Sequence, residues 1–209
     1  MLRGEARSAE LVLRLTSNFL EFGSRTIHKI IAKTKPACKA GCFFCCHVPV
    51  SASAIEALAV ARFLKAVCTQ HELFAVRSQV ESYVARTRLL SADQHIAARL
   101  RCPLLTADGT CRVHPARPMS CRWTYAFSAA QCEAALDGQG EGIIDADIQS
   151  LLWGRAVVQG LTCALDEAGL DSKRYELCSA VIRALDTDKA EERYIQGKPL
   201  FEGCKTLEK

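Results

Sequence analysis

The cysteines are the residues of this sequence most able to perform chemistry, because eight of them fall into two dense groups. The first group has the pattern C-x3-C-x2-C-C and consists of Cys38, Cys42, Cys45 and Cys46. The second group lies further along the chain and consists of Cys102, Cys111, Cys121 and Cys132. Thiolate sulfur is a soft ligand that suits zinc and iron–sulfur clusters, whereas magnesium and calcium prefer hard oxygen ligands. The two groups therefore predict a metal site.

Three thiols of the first group can converge on one centre. On a helix, offsets of four and seven residues nearly complete whole turns, so Cys42 and Cys45 would lie close to the face of Cys38. The neighbours Cys45 and Cys46 project in different directions on most backbones, so one of them serves a second centre or only packs. The second group then supplies the fourth ligand of one cluster or most of a second site. Eight thiols could also form two zinc sites of four thiolates each.

Other side chains near the cysteines are candidates for supporting roles. Zinc accepts imidazole, so His47 or His114 could complete a site with three thiolates. Five arginines flank the second group, and their charge would favour thiolates and raise a cluster's reduction potential. They are Arg99, Arg101, Arg112, Arg117 and Arg122.

The remaining four cysteines are isolated in the sequence. Cys68, Cys163 and Cys178 lie singly in helical patterns, where packing in the core is the more frequent role of a cysteine. Cys204 lies near the C-terminus, and the sequence assigns it no role.

Helices and turns must position the first cysteine group. Apolar residues recur on one face over residues 8–33, and Pro36 ends this pattern, which predicts a first amphipathic helix. Residues 36–50 hold the cysteines between two prolines, so we expect a turn-rich segment there. Glu56 follows Ser53 by three residues, which predicts a capping box at the start of a second helix.

The second group is predicted to lie in an irregular segment between further helices. A helical pattern runs from His71 to about Leu90. Prolines and a glycine then interrupt residues 101–122, so we expect a loop that a bound metal would make rigid. After a flexible connection at residues 137–142, helical patterns cover residues 143–168 and 171–185, and Asp171 is the predicted cap of the last helix.

Strand patterns are almost absent, so the predicted fold is mainly α, a helical bundle with an irregular cysteine-rich metal-binding insert. Residues 1–35 would form an N-terminal amphipathic helix, and residues 36–135 the cysteine-cluster metal-binding region. Residues 136–209 would form C-terminal helices that pack on the same bundle, giving a single domain overall.

Composition favours a cytoplasmic protein with reduced thiols. A chain of 209 residues buries roughly 70% of its unfolded surface, so its 12 cysteines are not needed as disulfide staples. The segment Met1–Arg7 lacks the apolar stretch of a secretory signal, and charged residues interrupt every longer apolar stretch. None approaches the roughly 20 apolar residues of a membrane span.

The charge distribution argues against nucleic acid as a partner. The net charge is only +4, and the 27 basic residues are spread along the chain rather than gathered in runs. Aromatic residues make up 7% and do not alternate with basic residues as in single-strand binders. We therefore expect another protein, not a membrane or a nucleic acid, as the partner.

The ordered combination of motifs resembles the YkgJ-type cysteine-cluster family, a zinc- or iron-chelating domain. The family pattern is C-x3-C-x2-C-C, then C-P-x-L, then G-x-C-x-[IV]-x-x-x-R-P-x-x-C-R. The matching segments here are Cys38–Cys46, Cys102–Leu105 and Gly109–Arg122. The resemblance spans about residues 36–125.

The residues and the resemblance leave three hypotheses about function. The leading one is an iron–sulfur protein, with a [4Fe–4S] cluster as one occupant, that acts in electron transfer, redox sensing or metal delivery. The second is a zinc protein whose two thiolate sites stabilise a protein-interaction module. The third is a metal-dependent modifying enzyme, because a related cysteine-cluster domain occurs in flagellin lysine N-methylases. The sequence identifies no catalytic residue.

Overall fold

Helices make up most of the structure, which confirms the predicted mainly α fold. The computed structural model describes residues 8–139 and 144–207, and within them it contains eight α-helices and one two-stranded sheet. The helices are α1 Ala9–Thr34, α2 Ala54–Val67, α3 Gln70–Thr87, α4 Ala92–Ala97, α5 Ala129–Asp137, α6 Ile148–Glu167, α7 Leu177–Asp186 and α8 Ala190–Ile195. The antiparallel strands are β1 Ser51–Ser53 and β2 Arg174–Glu176. No helix in the described residues is long and apolar enough to cross a bilayer.

Helix α1 lies where the sequence predicts it. The Ser8 side chain accepts a hydrogen bond from the Leu11 amide at 3.1 Å and so satisfies one of the free donors at the helix start. Lys35 ends the helix in the left-handed conformation at φ 52°, and Pro36 cannot continue it. The buried face of α1, which includes the fully buried Ile27, packs against α6.

Helix α2 forms the centre of the hydrophobic core. The Ser53 amide and hydroxyl both donate to Glu56 Oε2 at 2.8 Å, which confirms the predicted capping box. Ile55, Leu58 and Leu64 are at most 1% exposed and face α7 and the neighbouring helices. Burying each such side chain contributes about 1.5–3 kcal/mol. Helix α2 therefore anchors the elements that flank the cysteines.

The last long helix differs from its prediction. The pattern predicts a helix from Asp171, but α7 begins at Leu177 and its cap is the Glu176 side chain. Asp171 instead accepts a hydrogen bond from the Tyr175 hydroxyl at 2.8 Å. Strand β2, Arg174–Glu176, directly precedes α7, and strands of three residues are too short to show an alternating pattern. This is why neither β1 nor β2 is predicted.

The connection before α6 is only partly described. Helix α5 ends at Asp137, and Gly138 follows at φ 75°, the left-handed conformation that commonly ends a helix. Residues 140–142 of the predicted flexible connection, like the predicted start of α6 at Ile143, lie outside the described residues. Helix α6 begins at Ile148 with Asp147 as its cap, so the prediction that residues 144–147 are helical is wrong; Ala146 instead forms an isolated β-bridge with Ala126. The short helices α4, α5 and α8 contain too few turns to give a clear pattern.

The two cysteine-rich segments are irregular, as the sequence predicts. Residues 36–50 contain one 3₁₀ turn at Phe44–His47, followed by the start of β1. Residues 101–122 contain two 3₁₀ turns, at His114–Ala116 and Met119–Cys121. Their remaining shape depends on hydrogen bonds between the two segments and on contacts with the core.

A buried histidine connects the C-terminal segment to the helices. Lys205 Nζ can only donate, and it lies 2.8 Å from the Thr87 carbonyl and 3.2 Å from His95 Nδ1. His95 Nδ1 is therefore the acceptor, and Nε2 carries the proton that faces the Tyr83 hydroxyl at 2.8 Å. His95 is 1% exposed. The neutral imidazole is the form that this arrangement satisfies.

This arrangement predicts a loss of stability in mild acid. Burial and the Lys205 cation lower the pKa of His95 to about 4, whereas the unfolded chain titrates near 6.5. The unfolded state thus binds more protons, so the His95 contribution is complete above pH ~6.5 and is lost as the pH falls towards 4. We expect urea unfolding between pH 7 and pH 5 to show a smaller decrease for His95→Gln than for the wild type. Equal decreases would contradict this role of His95.

Candidate metal centre

The first cysteine group is positioned by the segment that precedes α5. The Ala37 amide donates to the Ala126 carbonyl at 2.8 Å, and the Ala126 amide lies 3.4 Å from Cys38 Sγ. Burial raises the pKa of the Cys38 thiol, and the nearby thiols of Cys42 and Cys45 raise it further. The chain turns at Gly41, whose φ of 84° favours glycine. The three thiols at C-x3-C-x2-C are therefore neighbours.

Cys132 lies beside the first group, although it is assigned to the second group by sequence. Helix α5 packs against the 3₁₀ turn at Phe44–His47. Burial raises the pKa of the Cys132 thiol, and three neighbouring thiols add to the effect. These neighbours are Cys38, Cys42 and Cys45. Four thiols from two distant segments, Cys38, Cys42, Cys45 and Cys132, thus form a first neighbourhood of thiols.

The rest of the second group lies on the other side of the insert. The Cys102 amide donates to the Cys46 carbonyl at 2.8 Å, which joins the two cysteine-rich segments. An isolated antiparallel bridge between Leu105 and Cys111 closes a tight loop around Gly109. Gly109 has φ 82°, and a Cβ there would lie 2.8 Å from the Phe43 ring. Glycine at this motif position lets the two segments approach.

Cys121 is held by contacts of its neighbours with the start of α2. The Met119 amide donates to Glu56 Oε1, and the Ser120 hydroxyl donates to the Ser51 carbonyl. Burial raises the pKa of the Cys121 thiol, and the nearby Cys102 and Cys111 thiols raise it further. Cys102, Cys111 and Cys121 therefore form a second neighbourhood of thiols.

Cys45 and Cys46 lie where the two neighbourhoods meet. The neighbouring Cys46 side chain is the largest cause of the raised pKa of Cys45, followed by burial. Cys45 also contributes to the raised pKa of Cys121. The sequence predicts that one member of this pair serves a second centre or only packs, and this remains a prediction.

The isolated cysteines have different environments. Cys68 packs partly against the core and follows the end of α2. Cys163 is exposed, so its predicted packing in the core is wrong; the periodicity of α6 does not show that this position faces outward. Cys178 is 3% exposed, and its thiol lies close to the Cys102 thiol. The Cys204 Sγ atom lies 3.6 Å from the Ser179 carbonyl oxygen. The contact between Cys178 and the second neighbourhood has no counterpart in the sequence motifs.

Arg117 is the arginine whose charge acts on the largest number of thiols. It opposes the raised pKa values of Cys45, Cys111 and Cys121. Its Nε is buried and has no hydrogen-bond partner among the residues that the structure describes. A thiolate or cluster sulfur is an acceptor that such a donor would satisfy.

Of the other flanking arginines, Arg101 also contributes to the lowered pKa of Cys102, whereas Arg122 and Arg99 shape the loop or face elsewhere. Arg122 donates to the carbonyls of Arg117 and Pro115 at 2.7 and 2.8 Å, so it holds the 3₁₀ turns together. Arg101 donates to the Thr106 carbonyl at 2.6 Å. Arg99 lies against Gly138. Only some of the flanking cations therefore act directly on the thiols.

The two candidate histidine ligands make contacts of other kinds. His47 Nδ1 lies 3.3 Å from the carbonyls of Phe43 and Phe44, which suits a ring nitrogen that donates. His114 is exposed on its 3₁₀ turn. Partial desolvation of the ring by neighbouring atoms and the nearby Arg117 cation lower the pKa of His114. The role of either imidazole as a metal ligand stays a prediction.

The donor set fits a soft metal by its chemistry. Within residues 8–139 and 144–207, no three His, Cys, Asp or Glu side chains are arranged so that they could hold a metal ion as they stand. The thiols are nevertheless gathered, and most have a raised pKa because burial and mutual repulsion disfavour thiolates. A cation among them would reverse that repulsion, since metal binding releases thiol protons.

Comparison with known families gives one match. Residues 37–139 match the family model CxxCxxCC, described as "Putative zinc- or iron-chelating domain". The matched segment begins after α1, ends after α5, and contains all eight cysteines of the two groups. No match was found among curated proteins or among solved structures. The described property of the family is metal binding, either of zinc or of iron.

Proposed function

Since residues 37–139 match the family model CxxCxxCC, which describes a zinc- or iron-chelating domain, we propose that this protein binds metal and holds an iron–sulfur cluster. The proposed role is electron transfer, redox sensing or metal delivery. One observation carries the proposal. Cys132 of α5 lies beside the three thiols of the C-x3-C-x2-C motif. Iron–sulfur clusters are commonly held by four thiolates, three closely spaced and one remote.

The residues around these thiols suit a negatively charged cluster. The Ala126 amide points at Cys38 Sγ, and hydrogen bonds to ligand sulfur raise a cluster's reduction potential. The Arg117 guanidinium supplies a cation and an unpartnered donor near the thiols. When bound, the cluster would supply one-electron chemistry. The chain itself provides the ligands, the amide donor and the compensating charge.

A zinc protein is the second candidate, and the division of the thiols into two neighbourhoods favours it. Structural zinc sites are closed, tetrahedral and rich in thiolate. Two such sites would join the irregular segments to each other and to α5. In that case the bound metals would stabilise the shape of the insert, which would present a surface to another protein.

Metal analysis of protein purified without oxygen distinguishes these candidates. If the cluster is present, we expect a brown protein that contains iron and acid-labile sulfide. A colourless protein with stoichiometric zinc would contradict the cluster and support the second candidate. The oxygen-free preparation is needed because oxidation can strip a cluster and leave its thiols for zinc. Folded protein with neither metal would contradict both candidates.

A further inference from the structure

A buried thiol outside the matched domain lies against the second neighbourhood of cysteines. Cys178 is in the first turn of α7 and is 3% exposed. Its thiol lies close to the Cys102 thiol, and the two groups interact. The Cys121 thiol is also close enough to interact with it electrostatically. Cys178 is therefore the fourth thiol of a group that otherwise comes from the insert.

The backbone explains why α7 lies at this position. The Leu177 amide donates to the Val50 carbonyl at 2.8 Å, and Glu176 pairs with Ser51 in the small sheet. On the same sheet edge, the Ser51 carbonyl accepts a hydrogen bond from Ser120 at 2.6 Å. The start of α7 and the turn that carries Cys121 are thus fixed to one short strand.

The same strand also fixes the turn through Arg174. Its guanidinium donates to Ser51 Oγ at 3.0 Å and to Ser120 Oγ at 2.9 Å. Arg174 is on β2, three residues before α7. Both ends of β2 therefore contribute to holding Cys121 and Cys178 on the same side of the core. The proximity of these thiols does not depend on a flexible segment.

We propose that Cys178 is a ligand of a second metal centre, together with Cys102, Cys111 and Cys121. This inference rests on the proposed function in that it requires the cysteine region to bind metal. Four thiolates match a tetrahedral zinc site, and they also match the ligand number of an iron–sulfur cluster. On binding, the metal replaces the thiol protons, which pass to solvent.

A ligand on α7 changes what the second centre does. The matched domain ends at residue 139, whereas α7 packs on α2 and α3 in the core. A metal bound by Cys178 would therefore connect the insert directly to the core helices. The first neighbourhood, which includes Cys132, lacks this connection through α7. The two centres would then differ in the effect of metal loss on the fold.

The test compares Cys178→Ala with Cys204→Ala in the full chain. Cys204 is a suitable control because it also contacts the region of α7, at the Ser179 carbonyl, but lies outside the thiol group. After oxygen-free purification, the metal of each variant is measured per chain. We expect Cys178→Ala to lose the metal of the second centre. If each centre holds one ion, the metal content per chain should fall by half. Cys204→Ala should keep all of it.

The outcomes separate this inference from the proposed function. Wild-type protein without metal would contradict the proposed function itself. Metal-loaded wild type together with an equally loaded Cys178→Ala variant would overturn only the role of Cys178. If Cys178→Ala does not fold, hydrogen exchange of the wild type decides. Removal of the metal should then accelerate exchange of the amides in the first turns of α7, and unchanged exchange there would overturn the inference.

Discussion

Glu56→Ala is expected to lower the free energy of unfolding by about 3–5 kcal/mol, the usual cost of breaking a buried ion pair. Glu56 is 1% exposed, and its carboxylate accepts hydrogen bonds from Ser53 and from the Met119 amide. It also lies 3.8 Å from the guanidinium of Arg174, which is itself 10% exposed. Removing the carboxylate would leave a buried cation and a free amide. Urea unfolding at neutral pH measures the change.

The matched control is Glu72→Ala, because Glu72 occupies the same capping-box position at the start of α3. There the Thr69 amide and hydroxyl donate to the carboxylate at 2.8 Å, but on the exposed surface. In both capping boxes the carboxylate accepts hydrogen bonds from the amide and hydroxyl of the cap residue, and Glu56 has in addition the buried partners Met119 and Arg174. A loss of stability in Glu56→Ala no larger than that in Glu72→Ala would contradict the importance of the buried network. The loss of stability in Glu56→Gln should lie between those of Glu56→Ala and Glu72→Ala, since the amide oxygen still accepts hydrogen bonds from one set of donors.

The same substitution is also informative about the site. Glu56 is the residue that connects the capping of α2 to the turn that carries Cys121, through the Met119 amide. Loss of this contact should loosen the turn and weaken metal retention as well as stability. From the sequence, Glu56 is predicted only as half of a local capping box. Its second role depends on a residue 63 positions away and could not be predicted from local spacing.

Local signals in the sequence predict most of the long helices. Capping residues and prolines indicate where α1 and α2 begin and end, and the periodic apolar face indicates which residues are helical. The predicted start of α7 is wrong because Asp171 is a good helix cap by its chemistry, but the residue that caps the helix is Glu176. The preference for Glu176 comes from its place on β2, which is set by pairing with a strand over a hundred residues earlier.

The candidate site shows the same division between local and tertiary information. Sequence spacing places Cys132 with the second group, but the packing of α5 brings it to the first. Cys178 and Cys163 both look like isolated core cysteines in helical patterns. One is buried against Cys102 and the other is exposed, because the periodicity does not say which neighbours a helix face meets. The motifs therefore predict metal chemistry better than they predict how the ligands are divided.

The division of the ligands predicts distinct losses for single substitutions. We expect Cys38→Ser and Cys132→Ser to remove the same metal centre, because their thiols lie together although they are remote in sequence. Cys121→Ser should remove the other centre and leave the first. A serine hydroxyl is nearly isosteric with a thiol but remains protonated and replaces a thiolate ligand poorly. Metal content per chain, with iron, sulfide and zinc measured separately, gives the result.

Cys163→Ser is the control for these substitutions, since Cys163 is exposed on α6 and should keep the full metal content. The informative comparison is the double variant of Cys38 and Cys132. If both residues serve one centre, the double variant should lose no more metal than either single variant, because the centre is already gone. An additive loss would mean that the two thiols serve different centres. In that case α5 would belong with the second group, as the spacing of the sequence alone predicts.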